Sequence, residues 1–141
     1  MQTDINQTEA EIVEEFAFFP GWMEKYEHLI DLGKNLPRIA DEHKTDQNLI
    51  RGCQSQVWLH AELVDGRVRF TADSDAIITK GIVALMIRVY DNRTPEEILA
   101  SDAAFVDEIG LKEHLSPTRS NGLAAMIKQM KYYALAFKAN N

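Results

Sequence analysis

The residue with the clearest capacity for chemistry is Cys53, the only cysteine of the chain. A single thiol is either a small buried hydrophobe or a nucleophile, and its neighbours help to decide between the two. Gly52 frees the backbone just before the thiol for a tight turn, and the polar residues 54–56 are poor material for a core. The pattern favours a surface turn that carries a nucleophile, although an inert cysteine in a loop or core also fits.

A thiol reacts at neutral pH only to the extent that its surroundings stabilise the thiolate. An unperturbed cysteine, with a pKa of about 8.5, supplies only a few per cent of thiolate there. Arg51 and nearby backbone N–H groups could hold the negative charge. One cysteine excludes an internal disulfide, which fits a reducing compartment where a free thiol persists. A single thiol also limits metal chemistry, so we expect no metal site.

Two other functions in which a thiol takes part stay open on the residues alone. A cysteine hydrolase needs a histidine base, and nothing in the spacing selects one of the four histidines. These are His28, His43, His60 and His114. An iron–sulfur scaffold is the second alternative, but such scaffolds generally use several thiolates and this chain offers one.

The cysteine stretch runs directly into the strongest strand signal of the chain. From Gln56 the pattern has period two, which predicts a half-buried strand. Its apolar face holds Val57, Leu59, Ala61 and Leu63, and its other face holds Trp58, His60 and Glu62. The dipeptide Asp65-Gly66 predicts a two-residue hairpin turn and therefore a register. That register pairs Val64 with Arg67, Leu63 with Val68, Glu62 with Arg69, Ala61 with Phe70 and Leu59 with Ala72.

The same alternation gives an expectation for the thiol. Counting back by twos from Val57 through Ser55 places Cys53 on the apolar side, provided that the chain stays extended. The thiol would then be partly sheltered in the free protein, with Gly52 as a hinge that releases it to a partner. If Gly52 and Gln54 break the alternation, the thiol is open throughout.

Two amphipathic helices are predicted before the cysteine stretch. The first has a capping-box pattern at residues 8–11 and should end before Pro20-Gly21. The second presents one apolar face over residues 22–33. We expect the charged segment 41–47 to be an exposed loop in which His43 lies in solvent.

The helix predicted at residues 76–90 is apolar nearly all round and should therefore be central. Ser74 or Asp75 can cap this helix. His60, on the polar face of the preceding strand, is expected to be structural or merely exposed. Gly81 costs about 1 kcal/mol relative to alanine in a helix, so we expect close packing against the sheet there. Further helical signals lie at residues 94–97 and 104–109, and the last helix begins at Ser116-Pro117.

Composition limits the classes of protein to which the chain can belong. With 141 residues, 45% of them hydrophobic, and no linker-like stretch, residues 1–141 are predicted to form one domain. The formal net charge of −7 argues against nucleic acid or an anionic membrane as partner. The first residues lack a signal-peptide pattern and no apolar stretch is long enough to span a bilayer, so we expect a cytoplasmic protein. Helices on both sides of a hairpin predict an α+β fold with an antiparallel sheet.

Three separated motifs occur along the chain. They are Gly-Cys-Gln-Ser-Gln-Val-Trp at 52–58, Ala-Asp-Ser-Asp-Ala at 72–76 with Gly81 after it, and Leu-Ser-Pro-Thr-Arg-Ser-Asn-Gly-Leu at 115–123. Together with residues 22–26 and 32–37, they resemble the SufE family of sulfur-acceptor proteins over most of the chain. The resemblance implies a SufE/IscU-like fold with a small sheet of about three strands. The additional strand would come from Leu49 and Ile50.

The resemblance also implies a function. Cys53 would take a sulfane sulfur from the persulfide of a pyridoxal-phosphate cysteine desulfurase, SufS or its CsdA-like relative, and would stimulate that enzyme. It would then pass the sulfur to an iron–sulfur assembly scaffold. The pyridoxal phosphate belongs to the partner, so the chain is expected to be a carrier and activator rather than an enzyme, with no cofactor of its own. A monomer and a homodimer both fit.

Further site residues follow from the same likeness. Arg119 is the candidate for a cation near the sulfur or at the partner surface, and an ordinary surface arginine is the alternative. Asp75 resembles the position that restrains the cysteine loop, although it could serve only as a helix cap. Gln54 is expected to face the partner, from its position beside Cys53 alone. Arg51 occupies a position where the family varies, so its electrostatic role rests on the residue alone.

Overall fold

The computed structural model of the chain describes residues 4–37, 39–50 and 55–140 and has an α+β architecture. In chain order the elements are α1 (Ile5–Ala17), α2 (Trp22–Lys34), the 3-10 turns Asp41–His43 and Asp46–Asn48, β1 (Val57–Val64), β2 (Arg67–Ser74), α3 (Ile77–Tyr90), α4 (Pro95–Ala100), α5 (Ala104–Glu108), α6 (Leu111–His114) and α7 (Pro117–Ala139). Among these described helices, none has both the length and the hydropathy that a membrane crossing requires.

Strands β1 and β2 form an antiparallel hairpin in the predicted register. Asp65 and Gly66 have φ values of 53° and 80°, the left-handed backbone of a two-residue type I′ turn. The pairs are Val57 with Ser74, Trp58 with Asp73, Leu59 with Ala72, His60 with Thr71, Ala61 with Phe70, Glu62 with Arg69, Leu63 with Val68 and Val64 with Arg67. Glu62 lies opposite Arg69 as expected, but the ion pair of Arg69 is with Asp91, at 3.2 Å.

The third strand that was expected near Leu49 and Ile50 is, among the described residues, a single bridge. Leu49 pairs with Trp58, and the N–H of Ile50 donates to the carbonyl of Val57 at 2.8 Å. The 3-10 turn Asp46–Asn48 ends immediately before this pair, so only two described residues can extend beside β1. The described sheet is therefore two strands wide, with a bridge from Leu49 on the β1 edge and a second bridge, between Val68 and Arg93, on the β2 edge.

The apolar face of the hairpin forms the centre of the core together with α3. Val57 and Leu59 of β1 and Phe70 and Ala72 of β2 are each at most 3% exposed. Full burial of a large aliphatic or aromatic side chain contributes about 1.5–3 kcal/mol. The same cluster takes in Ile12 and Phe16 from α1, Leu29 from α2, Leu85 and Met86 from α3, and Leu123, Met126 and Met130 from α7. The predicted central position of α3 is confirmed.

Helices α2 and α3 cross at two glycines, Gly33 and Gly81. A Cβ atom added to Gly81 would lie 2.1 Å from the carbonyl oxygen of Leu29, and one added to Gly33 would lie 2.9 Å from the Gly81 nitrogen. Close packing at Gly81 was expected, but against the sheet. That partner was wrong, because α2 occupies the side of α3 that carries Gly81.

The predicted cap of α1 is wrong. The helix begins at Ile5, and Asp4 caps it by accepting from the N–H of Gln7 at 2.8 Å, while the Gln7 side chain accepts from the Asp4 N–H at 3.4 Å. Thr8, the expected cap, is buried inside the helix, where its hydroxyl accepts from Arg93 at 2.9 Å. Two consecutive stretches, residues 4–7 and 8–11, fit the capping pattern, and the earlier one starts the helix.

The predicted cap of α3 is also wrong. Its N-cap residue is Ala76, which offers no side-chain acceptor. The Ser74 hydroxyl accepts from the N–H of Ala76 itself at 3.3 Å, and the Asp75 carboxylate is bonded to the start of β1. The expected starts of α4 and α7 are confirmed, with Thr94 and Ser116 as caps.

Candidate functional site

The centre of the predicted site, Arg51, Gly52, Cys53 and Gln54, lies outside the described residues. The roles expected for these four residues therefore stay predictions. The structure describes the chain on either side, which ends at Ile50 and resumes at Ser55. Both sides are held near the first residues of β1, so this end of the sheet is the candidate functional site.

Ile50 anchors the chain that leads into the cysteine stretch. Its N–H donates to the carbonyl of Val57 at 2.8 Å, and its side chain is 9% exposed. The side chain lies over a small apolar space beneath the surface, which Met126 and Met130 of α7 also line. Ile50 is thus bonded to β1 through its backbone and packed towards α7 through its side chain.

Gln56 and Asp75 hold the chain that leaves the cysteine stretch. The Asp75 carboxylate accepts from the Gln56 N–H at 3.0 Å, and the Asp75 N–H donates to the Gln56 carbonyl at 3.3 Å. One residue earlier, the Ser55 hydroxyl lies 3.4 Å from the hydroxyl of Thr79, which is buried in the first turn of α3. Asp75 therefore joins the start of β1 to the connection between β2 and α3.

The outer face of β1 is covered by the segment 41–48. Trp58, expected on the polar face, is only 8% exposed because the ammonium of Lys44 lies 4.6 Å from its ring centroid. The imidazole of His43 stacks on His60 with centroids 3.5 Å apart and planes inclined by 12°. The expectation that His43 lies in solvent was wrong, because the 3-10 turn Asp41–His43 brings it against the strand.

Asp73 connects this cover to the sheet and to α3. The ammonium groups of Lys44 and Lys80 each lie 3.3 Å from one of its carboxylate oxygens, and the Ser74 N–H donates to it at 2.8 Å. Burial acts to raise the pKa of the Asp73 carboxyl. The Ser74 hydrogen bond and the two lysine charges outweigh burial, so this pKa lies below its ordinary value.

An open groove of about 460 Å³ lies between the segment before Cys53 and the second half of α7. Its polar side chains include Lys128 and Tyr132, and Tyr132 is 64% exposed. Its other lining residues are Gln47, Asn48, Leu49, Ile50, Ala125, Gln129 and Tyr133. The sequence pattern identified α7 as a core helix but gave no sign that one of its sides faces residues 47–50.

Arg119 lies in the first turn of α7 and is exposed. Its backbone N–H donates to the hydroxyl of Ser116 at 3.3 Å. Within the described residues, no acceptor or ring contacts its guanidinium. Its expected role beside the sulfur therefore stays a prediction.

The four histidines occupy three separate places. His28 Nε2 lies 2.6 Å from a carboxylate oxygen of Glu15, and His114 stacks on Trp22 with centroids 4.0 Å apart. His43 and His60 stack on each other. The described contacts join none of them to Ile50 or Ser55, so the hydrolase alternative gains no support from this part of the chain.

Comparison with known proteins adds the family to this geometry. The chain matches the SufE family, described as an Fe-S metabolism associated domain, over residues 10–134. An uncharacterized SufE-like protein of Rhizobium meliloti (strain 1021) is 40% identical over 126 residues, spanning 86% of this chain and 90% of that protein. The solution structure of a hypothetical protein from Thermus thermophilus superposes with a TM-score of 0.76, covering 92% of this chain and 94% of that one. At 21% identity this last likeness shows the fold alone.

The family match includes the hairpin, the paired glycines of α2 and α3 and both sides of the cysteine stretch. The solved neighbour agrees with the observed α+β architecture. The chain therefore belongs to the SufE family and is associated with iron–sulfur metabolism.

Proposed function

We propose that this chain is a sulfur acceptor and carrier that works with a pyridoxal-phosphate-dependent cysteine desulfurase of the SufS or CsdA-like kind. One observation carries the proposal. The only cysteine of the chain lies within the family match, between two stretches that are bonded to the same end of β1. A persulfide carrier needs one thiol, whereas an iron–sulfur scaffold generally uses several.

The proposed reaction is an exchange between a thiolate and a persulfide. The Cys53 thiolate attacks the outer sulfur of the desulfurase persulfide, a new S–S bond forms at Cys53, and the donor cysteine leaves as a thiolate. The transferred sulfur keeps its proton, so the step needs no external oxidant or reductant. In the second transfer, a thiolate of the recipient scaffold attacks the outer sulfur on Cys53 and releases Cys53 as a thiolate.

The described residues support this reaction by holding both ends of the reactive stretch. Ile50 is bonded to Val57 and packed above the methionines of α7, while Gln56 is bonded twice to Asp75. A short segment with fixed ends presents its thiol over a limited volume, which favours attack on a docked persulfide. Asp75 has this positioning role in the proposal, and Arg51, Gly52 and Gln54 belong to the same stretch.

The chain acts in this proposal as a carrier and activator, not as a complete enzyme. The pyridoxal phosphate and the lysine that binds it belong to the desulfurase, and the scaffold that receives the sulfur builds the cluster. In this proposal the chain acts in the cytoplasm, where reducing conditions keep a single thiol free between transfers.

The test is the intact mass of the protein after it is mixed with desulfurase and free cysteine. We expect a gain of one or more sulfur atoms that maps to Cys53 and is removed by a thiol reductant. The Cys53→Ser variant should gain none, and it should lose stimulation of the desulfurase while its circular dichroism stays that of the wild type, because a hydroxyl forms no persulfide. Sulfide release that this variant still accelerates at saturating reductant would contradict a covalent relay.

A second measurement separates the carrier from a scaffold. Incubation of the wild-type protein with iron and sulfide should give no visible absorption from a cluster, since one thiolate per chain is too few for the usual ligand set. A stable cluster that requires Cys53 would favour the scaffold alternative.

A further inference from the structure

His43, His60 and Glu62 form a cluster on the outer face of β1, apart from the cysteine stretch. His60 and Glu62 are two residues apart on one strand, so their side chains project from the same face. His43 reaches them from the 3-10 turn Asp41–His43 of the covering segment. The cluster thus joins one strand to the segment that covers it.

The donor atoms of this cluster lie close together. The Nε2 atom of His60 is 3.1 Å from a carboxylate oxygen of Glu62, and one donor atom from each of the three residues lies within 4.8 Å of the other two. A glutamate carboxyl is ionised at neutral pH, so Glu62 offers a negatively charged oxygen ligand beside two imidazoles.

We infer that His43, His60 and Glu62 form a binding site for a divalent transition-metal ion such as Zn²⁺, with water completing the coordination. Two imidazole nitrogens and one carboxylate oxygen are a ligand set that zinc accepts in proteins. This site departs from the expectation of no metal site, which rested on the single cysteine and could not include His43, far from the other two ligands along the chain.

The distance between the two rings suits one ion, but each imidazole must turn well out of the stacked arrangement to coordinate it. Two nitrogens on a tetrahedral zinc at about 2.0–2.1 Å from the metal lie about 3.3 Å apart, and the centroids of the stacked rings are 3.5 Å apart. Parallel rings aim their lone pairs along parallel lines, so coordination must tilt the two imidazoles towards each other. The exposed Glu62 carboxylate leaves a side through which the ion can enter.

The surrounding residues hold His43 in place. The Asn48 side-chain amide donates to the carbonyl of His43 at 2.7 Å, and the next residue, Lys44, is held over Trp58 and against Asp73. These contacts fix the backbone of the turn before any ion arrives. Such pre-positioning lowers the entropic cost of bringing a third ligand to the strand.

The other histidines serve as an internal comparison. His28 has a single carboxylate neighbour, Glu15, both of whose oxygens also accept from Arg88 at 3.1 Å. His114 lies between Trp22 and the carbonyl of Gly110, 3.0 Å away. Among the described residues, the cluster at His43 is the one group that offers three such ligands.

The experiment is a titration of the full chain carrying Cys53→Ser, so that no thiolate competes for the metal. We expect one Co²⁺ ion per chain, detected by its visible absorption, and its displacement by Zn²⁺. His43→Gln, His60→Gln and Glu62→Gln should each weaken Zn²⁺ binding at least about tenfold. His114→Gln, a matched change outside the cluster, should leave the affinity unchanged.

A second measurement uses protein in which His43, His60 and Glu62 are all unchanged, so it does not depend on whether the ligand variants fold. Zn²⁺ added to the ¹⁵N-labelled protein should shift the ring signals of His43 and His60 and leave those of His28 and His114 in place. Equal affinity in His60→Gln and its parent, ring shifts confined to His28 or His114, or no binding of millimolar Zn²⁺ would each overturn the site. Because Cys53 is absent from the titrated protein, the result is independent of the proposed sulfur transfer.

Discussion

At the scale of single residues, Asp73 is the charge that holds the cover of β1 in place. Its carboxylate is 13% exposed and receives two ammonium groups, from Lys44 of the covering segment and from Lys80 of α3. Charge-assisted hydrogen bonds of this kind contribute about 1.5–3 kcal/mol each when sheltered, and about 0–1 kcal/mol when exposed to solvent. Both lysines are partly exposed, so we expect their combined contribution to the free energy of unfolding to lie between the sheltered and the exposed values.

Asp73→Asn should lower the free energy of unfolding by about 1–2 kcal/mol at pH 7. The folded pKa of Asp73 is depressed, so its contribution is complete above the unfolded value of about 3.9 and is lost as pH falls through the folded pKa. The difference between wild type and variant should therefore shrink below about pH 4. Urea unfolding at several pH values measures it.

Asp65→Asn is the matched control for this series. Asp65 is exposed in the hairpin turn, where asparagine tolerates the same positive φ. The free energy of unfolding of the Asp65→Asn protein should equal that of the wild type at every pH. A difference for Asp73→Asn that stays constant down to pH 2 would show that the lysine contacts do not stabilise the fold.

Arg119 gives a prediction about transfer rather than stability. Arg119→Ala should slow sulfur transfer from the desulfurase several-fold while the melting temperature changes by at most about 1 °C, because the guanidinium makes no contact among the described residues. Lys138→Ala, an exposed cation in the last turn of the same helix, is the control. Equal transfer rates for wild type and Arg119→Ala would show that Arg119 is a surface residue with no role in sulfur transfer.

At the scale of elements, the crossing of α2 and α3 depends on the absence of side chains at Gly33 and Gly81. The backbones touch there, so α3 can pack on the hairpin through one side and on α2 through another. The packing of two helices that touch at glycines is disturbed when a single methyl group is added at either position. The crossing is a structural requirement, separate from the site.

Gly81→Ala should destabilise the fold by about 3 kcal/mol or more, despite the gain of about 1 kcal/mol in helix propensity. The added Cβ would lie 2.1 Å from the Leu29 carbonyl oxygen, so the two helices must separate. Thermal and denaturant unfolding measure the loss.

Gly66→Ala is the comparison for this change. A Cβ at Gly66 meets nothing within 4 Å, and the cost of about 1–2 kcal/mol comes only from its φ of 80°. A Gly81→Ala protein as stable as the Gly66→Ala protein would mean that α2 and α3 adjust without strain.

The sequence predicted local structure well where one stretch of chain contains the whole signal. Asp65-Gly66 and the alternation around it determine the hairpin register without reference to any other element, and Thr94 begins α4 for the same reason. The cap of α1 was misplaced because two consecutive stretches, residues 4–7 and 8–11, both satisfy the local pattern, and Thr8 instead accepts a hydrogen bond from the distant Arg93.

Contacts between distant segments were the part that the sequence could not predict. Periodicity identifies a buried side of α3 but does not say whether the sheet or α2 covers Gly81. In the same way, nothing near His43 in the sequence indicates that it stacks on His60. The likeness to a family supplied the role proposed for Cys53, and the structure supplied the bonds of Asp75 and Ile50 on either side of that stretch.

At the scale of the whole molecule, the proposed carrier must protect a reactive sulfur and then release it to a partner. A persulfide exposed to cytosolic thiols is reduced, so shelter in the free protein and exposure on docking would serve both needs. The alternation of β1, continued back from Val57, is the basis of this expectation. The expectation itself concerns Cys53, which lies outside the described residues.

Alkylation kinetics at fixed pH test the shelter. The thiol of the free protein should react more slowly than a short peptide of the same sequence, because neighbouring groups restrict access to it. A desulfurase that lacks its own active cysteine should then accelerate the labelling of Cys53 without any transfer of sulfur. Labelling as fast as in the peptide, unaffected by the partner, would show an open thiol and would leave the carrier proposal standing.

Trp58, which Lys44 covers, is a fluorescent side chain at the candidate site. The chain has two tryptophans, and Trp22 stacks on His114 of α6. Replacement of Trp22 by phenylalanine would leave Trp58 as the only indole, sheltered beneath the ammonium of Lys44. Its emission would move to longer wavelength whenever water replaced that cover. Docking of a partner beside β1 could then be followed in real time by fluorescence, with no attached dye.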